Sequence, residues 1–305
     1  VVQTEKFLNY LLTEKRSSQH TIDSYTVDLS QFSEYCKNSF GIESPTEITS
    51  PVVRSWMAQL MEEDYSAASV HRKLSAVNAL MRFLMKEGEI AANPARNIPK
   101  PKRPSRLPVF VEERGAQALY HIADSEQFLR SEDASPFSLK RDELIVTLLY
   151  ETGIRQAELL GLRDADVDHS LKQIKVLGKR NKMRYVPLGE GMMKRMKEYT
   201  ELRNRQFGQQ AFESLLVSDL GKKVTKSLVY LKVKFYLSQV TTIQRKSPHV
   251  LRHTFATHML NNGAELNVIK EILGHSSLAA TQVYTHNSIE KLKSIHSRMH
   301  PRNNF

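Results

Sequence analysis

Ser247-Pro248-His249-Val250-Leu251-Arg252-His253-Thr254-Phe255-Ala256-Thr257-His258-Met259-Leu260-Asn261-Asn262-Gly263 is the stretch from which the rest of the chain can be read. Ser247 has the chemistry of an N-cap, Pro248 suits the first helical position and Gly263 supplies a stop, so a helix is predicted to about Asn262. His249 and Arg252 are three apart and share one face near the helix start. Backbone N–H groups already favour an anion there, and a hydrogen-bonding, cationic pair at that position suits a phosphate. His249 and His253 are four apart and, with His258, could be read as metal ligands. The glutamate of an HExxH pattern is absent, however, and Arg252 would set a cation beside the metal, so no metal is expected.

Working outward, Leu273-Gly274-His275-Ser276-Ser277 is followed by Thr281-Gln282-Val283-Tyr284-Thr285-His286. Gly274 is expected to end one helix, leaving His275 on the turn into the next, which carries Tyr284. Upstream lies Tyr150-Glu151-Thr152-Gly153-Ile154-Arg155-Gln156-Ala157-Glu158-Leu159-Leu160-Gly161-Leu162. Gly153 interrupts an apolar helix just before Arg155, and Glu158, Leu159 and Leu162 resume helical spacing. Between these segments, Gln173 to Lys179 and Met183 to Leu188 read as two short strands around Arg180-Asn181-Lys182, a β-hairpin.

Residues 1–93 are helical throughout by pattern. Phe7, Leu8, Leu11 and Leu12 mark one helix and Ile22, Tyr25, Leu29 and Phe32 a second, with an N-cap in Ser17-Ser18-Gln19-His20-Thr21. Thr49-Ser50-Pro51 opens a third. Ser66 opens a fourth, whose apolar face is Val70, Leu74, Val77, Leu80, Met81 and Leu84, with Gly88 closing it. Residues 94–108 follow, with five prolines and five cations, and read as an extended linker. The fold class is therefore mainly α with a small β-hairpin or sheet, and 305 residues argue for two domains.

The net charge of +11 is unevenly spread. Residues 1–93 carry 9 Lys/Arg against 12 Asp/Glu, residues 94–108 carry 5 against 0, and residues 109–305 carry 30 against 21. A polyanionic partner is favoured, chiefly at the linker and the C-terminal part. The single cysteine, Cys36, cannot form an intrachain disulfide, which suits a reducing, cytoplasmic setting. No apolar run is long enough to span a membrane and no signal-peptide pattern is present.

The order of these segments closely resembles the tyrosine recombinase, or phage-integrase-like, family, and the Xer type most of all. The resemblance rests on HxxR at His249 and Arg252, Leu-Gly-His at 273–275 with Tyr284 nine residues later, Thr-Gly-x-Arg-xx-Glu-Leu at 152–159, and Gly-Lys at 178–179 on a hairpin. It extends over nearly the whole chain. It implies a helical, SAM-like core-binding domain over 1–93, a basic linker over 94–108 and a mostly helical catalytic domain over 109–305 with a C-terminal tail helix. It implies catalytic roles for Arg155, Lys179, His249, Arg252, His275 and Tyr284, and no cofactor. Lys182, at the same turn, is the alternative to Lys179. The chain departs from the family in having Arg180 where Gly often follows the lysine, and in a longer stretch over 121–140, a solvated insertion or a partner-binding element.

These residue types fit the chemistry. Strand exchange without a high-energy cofactor needs a covalent intermediate that conserves the phosphodiester, and a tyrosine hydroxyl can form one. Charge builds on the nonbridging oxygens, which two always-charged planar arginines, Arg155 and Arg252, can clamp. By resemblance Lys179 protonates the leaving 5′-oxygen, His249 is the acid/base partner of the nucleophile and His275 bonds the phosphate.

Outside that pocket, His71, Arg72 and Lys73 fall on the polar side of the fourth helix and are candidates to enter a DNA groove. Gln19 and Thr21, with Arg16 and Ser17, are candidate phosphate contacts at another helix start, and Lys102 and Arg103 in the linker. Ile289, Leu292, Ile295 and Met299 form an apolar stripe after Tyr284, and the resemblance implies that this tail docks on a neighbouring subunit. The implied partners are a double-stranded DNA site, a homo-tetramer or a hetero-tetramer with a second recombinase, and a DNA translocase that activates the complex. The integrase of a mobile element would use the same chemistry. A nonenzymatic helix-turn-helix protein would explain Gly263 between two helices, but not Arg155, Lys179, His275 and Tyr284 together.

Overall fold

The computed structural model describes residues 2–102, 109–124, 135–178, 182–209 and 212–274. The chain divides into two compact units, Val1–Arg106 and Leu107–Phe305.

The first unit holds α1 (Val2–Thr13), α2 (Gln19–Phe40), α3 (Ser50–Glu62) and α4 (Ala67–Lys86). Ser66 caps α4, its Oγ accepting from the Ser69 N–H at 3.2 Å. The apolar stripes meet in one core containing Phe7, Leu29, Phe32, Trp56, Val77 and Leu84, with the Phe32 and Trp56 rings 4.7 Å apart. Burial of this stripe, rather than helix propensity, is what holds such short helices in place.

Two expectations change here. Lys73 does not belong to an exposed polar face: it is 2% exposed, pairs with the fully buried Asp28 at 3.2 Å and bonds Gln31. Arg72 shares Asp28 at 2.5 Å. A carboxylate supplied by α2 makes the burial of the lysine tolerable. The basic, proline-rich stretch also begins as part of the unit rather than as a free spacer. Ser50 Oγ donates to the Pro94 carbonyl at 2.7 Å, Ala95 is buried, Ile98 packs on the core, and Lys100 Nζ reaches Ser75 Oγ at 3.2 Å. His71 bonds the Pro101 carbonyl through Nε2 at 2.8 Å, so it too is engaged.

The second unit comprises α5 (Glu113–Asp124), α6 (Pro136–Thr152), α7 (Gln156–Gly161), β1 (Val167–Asp168), β2 (Gln173–Leu177), β3 (Met183–Pro187), α8 (Glu190–Phe207), α9 (Lys226–Val240), α10 (Pro248–Asn261) and α11 (Leu266–Leu273). The strands form an antiparallel sheet in the order β1-β2-β3, with Val176 opposite Arg184. The central helix is α6, buried all round over its last three turns and packed by α5, α8, α9 and α10. Its first turns bury charge as well: Arg141 bonds Asp142 and Asp219, both at 2.9 Å, and Glu143 pairs with Arg195.

The chain enters this unit through Val111, whose N–H donates to Thr254 Oγ1 and whose carbonyl meets His258 Nε2, both at 2.9 Å. Thr254 and His258 are buried on α10. Among the described residues no helix is long and apolar enough to cross a membrane.

Candidate active site

Three helix ends build the site. α6 stops at Gly153, which takes the left-handed conformation (φ +60°) while its N–H returns to the Leu149 carbonyl at 3.0 Å. A Cβ there would lie 2.5 Å from Phe255 Cδ1 and 2.7 Å from Leu273 Cδ2, so glycine is required both by the backbone and by the closeness of α10 and α11. α11 stops at Gly274 in the same conformation (φ +63°). α7 starts from Arg155 as its N-cap residue.

Arg252, on α10, is 8% exposed. Its two terminal nitrogens donate to the Gly153 carbonyl at 2.6 Å and the Leu273 carbonyl at 2.7 Å. Arg155 donates from Nη2 to the Gly274 carbonyl at 3.3 Å and from Nη1 to Glu158 Oε1 at 2.8 Å. Glu158 Oε2 in turn accepts the Arg155 backbone N–H at 2.8 Å.

The buried Glu158 has a second partner. Arg184, on β3, donates to both of its oxygens at 3.0 and 2.8 Å and from Nε to the Ile272 carbonyl at 2.7 Å. Burial alone would raise the Glu158 carboxyl, but Arg184 and then Arg155 hold it below its ordinary value. Burial, then the charge of Arg155, brings Arg252 down to about 10, so it remains a cation at neutral pH. His249, in the first turn of α10, is held below its ordinary value by desolvation and by the charges of His253, Arg252, Arg155 and Arg245. One carboxylate among three guanidiniums leaves the site short of negative charge, as a phosphate site should be.

Arg155 and Arg252 are thus brought together, with His249 in their field. Lys179, His275 and Tyr284 lie outside the described residues, as do Arg103 and the 289–299 stripe. Lys182, the alternative to Lys179, is exposed and offers its carbonyl to the Gly178 N–H at 2.8 Å. In the first unit Gln19 bonds Asp23 at 2.9 Å, Thr21 bonds Ser18 at 3.0 Å, and Lys102 is exposed.

His258 is a packing residue rather than a metal ligand. Its Nε2 faces the Val111 carbonyl, which can only accept, so Nδ1 accepts the Tyr150 hydroxyl at 3.0 Å and both ring nitrogens are used. Among the described residues no group of His, Cys, Asp and Glu is arranged to hold a metal ion.

Sequence reasoning missed Arg184. The available signal was strand alternation, which puts Arg184 on the inward face with Val186, between the exposed Met183 and Tyr185. A charge at an inward strand position calls for a buried partner.

Comparison with known proteins agrees with this geometry. The phage integrase family matches residues 110–291, and the phage integrase N-terminal SAM-like domain matches residues 4–88. The tyrosine recombinase XerC of Chlorobaculum parvum is 34% identical, covering 97% of this chain and 94% of that protein. The tyrosine recombinase XerD of Vibrio cholerae is also 34% identical, covering 98% and 96%. Among solved structures, XerH bound to its palindromic difH substrate superposes with a TM-score of 0.72 at 21% identity over 96% of this chain and 84% of that one. A lambda integrase dimer on a core site gives 0.66 at 15% identity, covering 93% and 98%, a likeness of fold. Two domain families in their order, two near-full-length relatives and two converging arginines agree that this chain belongs to the phage integrase family, the tyrosine recombinases.

Proposed function

We propose that this chain is a Xer-type site-specific recombinase that cleaves and rejoins DNA through a 3′-phosphotyrosine and a Holliday junction. The observation that carries the reading is the convergence of Arg155 and Arg252 on the consecutive carbonyls of Gly274 and Leu273, directly before His275 and ten residues before Tyr284 in sequence. Each guanidinium has five N–H groups, and Arg252 uses two of them, on the Gly153 and Leu273 carbonyls, to fix its own position. The others suit the nonbridging oxygens of a scissile phosphate.

In the proposed reaction the Tyr284 hydroxyl oxygen attacks phosphorus and gives its proton to a base, for which His249, whose ring is held below its ordinary value by desolvation and neighbouring cations, is suited. The phosphorus–O5′ bond breaks, and the departing oxygen takes a proton from Lys179. The 5′-hydroxyl of the partner strand then attacks the phosphotyrosine and gives its proton to Lys179, while the phosphorus–tyrosine oxygen bond breaks and that oxygen takes its proton back from His249. One phosphoester replaces another at each step, so no nucleotide cofactor or metal is needed. A tetramer on two DNA duplexes, built from this chain alone or with a second recombinase and activated by a DNA translocase, would serve the resolution of chromosome or plasmid dimers in the cytoplasm.

A nicked DNA site that traps cleavage tests the reading. The full-length chain should form a covalent protein–DNA adduct that Tyr284→Phe abolishes while retaining DNA binding. An adduct persisting in Tyr284→Phe would remove Tyr284 as the nucleophile.

A further inference from the structure

Arg184 lies outside the set of residues that the reaction itself requires, yet it is among the most constrained side chains in the second unit. It is 5% exposed. Its guanidinium spans both oxygens of Glu158 and the carbonyl of Ile272. A Cβ on Gly274 would sit 3.0 Å from its Nη1, and one on Gly178 would sit 3.3 Å from the same atom. One side chain therefore touches α7, the end of α11 and the hairpin.

We propose that Arg184 is a positioning residue: by occupying both oxygens of Glu158 it limits that carboxylate's hold on Arg155, leaving the Arg155 guanidinium at the Gly274 carbonyl and available to a phosphate. Glu158 bonds Arg155 through Oε1 and the Arg155 backbone N–H through Oε2. Without Arg184, Glu158 carries a full negative charge in a buried place with Arg155 as its main counter-ion, and the shared guanidinium is drawn onto it. A displacement of about 1 Å at a clamp residue costs a reaction on the order of 100-fold. The inference rests on the proposed role of Arg155 and assigns a cause to its position.

The test is single-turnover cleavage of the nicked site by the full-length chain, alongside DNA affinity and thermal melting. Arg184→Met is expected to slow cleavage about 100-fold with DNA affinity within about twofold, by the misplacement argument above. Adding Glu158→Gln removes the unbalanced charge, and the double variant should recover about tenfold of that rate. A merely structural Arg184 would make the double variant as slow as Arg184→Met or slower, which would overturn the proposal. Arg184→Lys keeps charge and bulk, so it guards against misfolding. One ammonium cannot span both Glu158 oxygens and the Ile272 carbonyl, so it should still be about tenfold slow. Wild-type cleavage in Arg184→Lys would also overturn the proposal. If Arg155→Ala cleaved as fast as wild type, the reading of the site would fall instead, independently of the Arg184 variants.

Discussion

Arg155 and Arg252 are anchored on adjacent residues of one turn: Arg252 bonds the Leu273 carbonyl at 2.7 Å and Arg155 the Gly274 carbonyl at 3.3 Å. Two like charges are held side by side from helices more than ninety residues apart in sequence. Their repulsion is offset by the carbonyls of Gly153, Leu273 and Gly274, together with the carboxylate of Glu158, which bonds Arg155 and whose charge also favours the Arg252 cation.

Arg252→Lys should therefore do two things. It removes the planar fork, and cleavage of a nicked site should fall about 100- to 1,000-fold, the usual loss for an oxyanion-stabilising donor. It also leaves the Gly153 or Leu273 carbonyl without its donor, lowering stability by about 1–3 kcal/mol. Rapid-quench cleavage assays and urea denaturation read the two effects separately.

Gly153→Ala should destabilise the second unit by about 2–4 kcal/mol, because a positive φ and an overpacked contact act together. Phe255 and Leu273, against which the new methyl would press, are fully buried. A thermal melt checks this, and a melt indistinguishable from wild type would contradict the packing described at the end of α6.

Asp28→Asn should cost about 3–5 kcal/mol, since it leaves the buried Lys73 ammonium without its anion. Asp28→Leu combined with Lys73→Met should recover most of that loss, as apolar replacement of a buried pair often does. Trp56, the chain's one tryptophan, is buried in this core, so its fluorescence during urea unfolding follows the first unit.

His258 makes stability depend on pH in a predictable direction. Burial holds its ring below the ordinary value of 6.5, outweighing the Val111 carbonyl and Glu113. The unfolded chain then takes up a proton near 6.5 that the folded chain refuses until lower pH. The stabilisation is complete above 6.5 and drains away as pH falls below it. His258→Gln should be less stable than wild type at pH 7.5 by about 1–3 kcal/mol, and the gap should narrow by pH 5.5. Urea midpoints at the two pH values measure it, and a gap that widens on acidification would refute the assignment. His249 titrates in both proteins and cancels from the difference.

The parts of this structure that could be read beforehand are those governed by local chemistry. Ser66, Ser247-Pro248, Gly153 and Gly274 mark helix ends because a cap or a left-handed residue acts within a few positions of itself. α10 runs Pro248–Asn261 with Gly263 at φ +88°, close to the expected span. Lys73 could not be placed this way: its helical position looked polar, and its burial depends on Asp28, 45 residues earlier, and on Gln31 beside it. Arg141, Asp142 and Glu143 likewise resemble a solvated helix start, but Asp219, Lys232 and Arg195 arrive from elsewhere to pair with them. The two-residue β1 exists only through its pairing with β2. Prolines after Pro94 forbid a helix but do not forbid docking, so the attachment of that stretch to α4 and the core was invisible. The Arg155–Glu158 contact was within reach of sequence spacing, and its completion by Arg184 was not, because it crosses from a strand to a helix.

The clamp on Val111 carries a mechanical meaning. Both peptide groups of this residue hang on Thr254 and His258, so the incoming chain is bolted to α10 before it reaches α5. The same helix that holds Val111 seats His249 and Arg252, so a shift of α10 along its axis would move the Arg252 guanidinium against the Gly153 and Leu273 carbonyls and strain the Val111 bonds together.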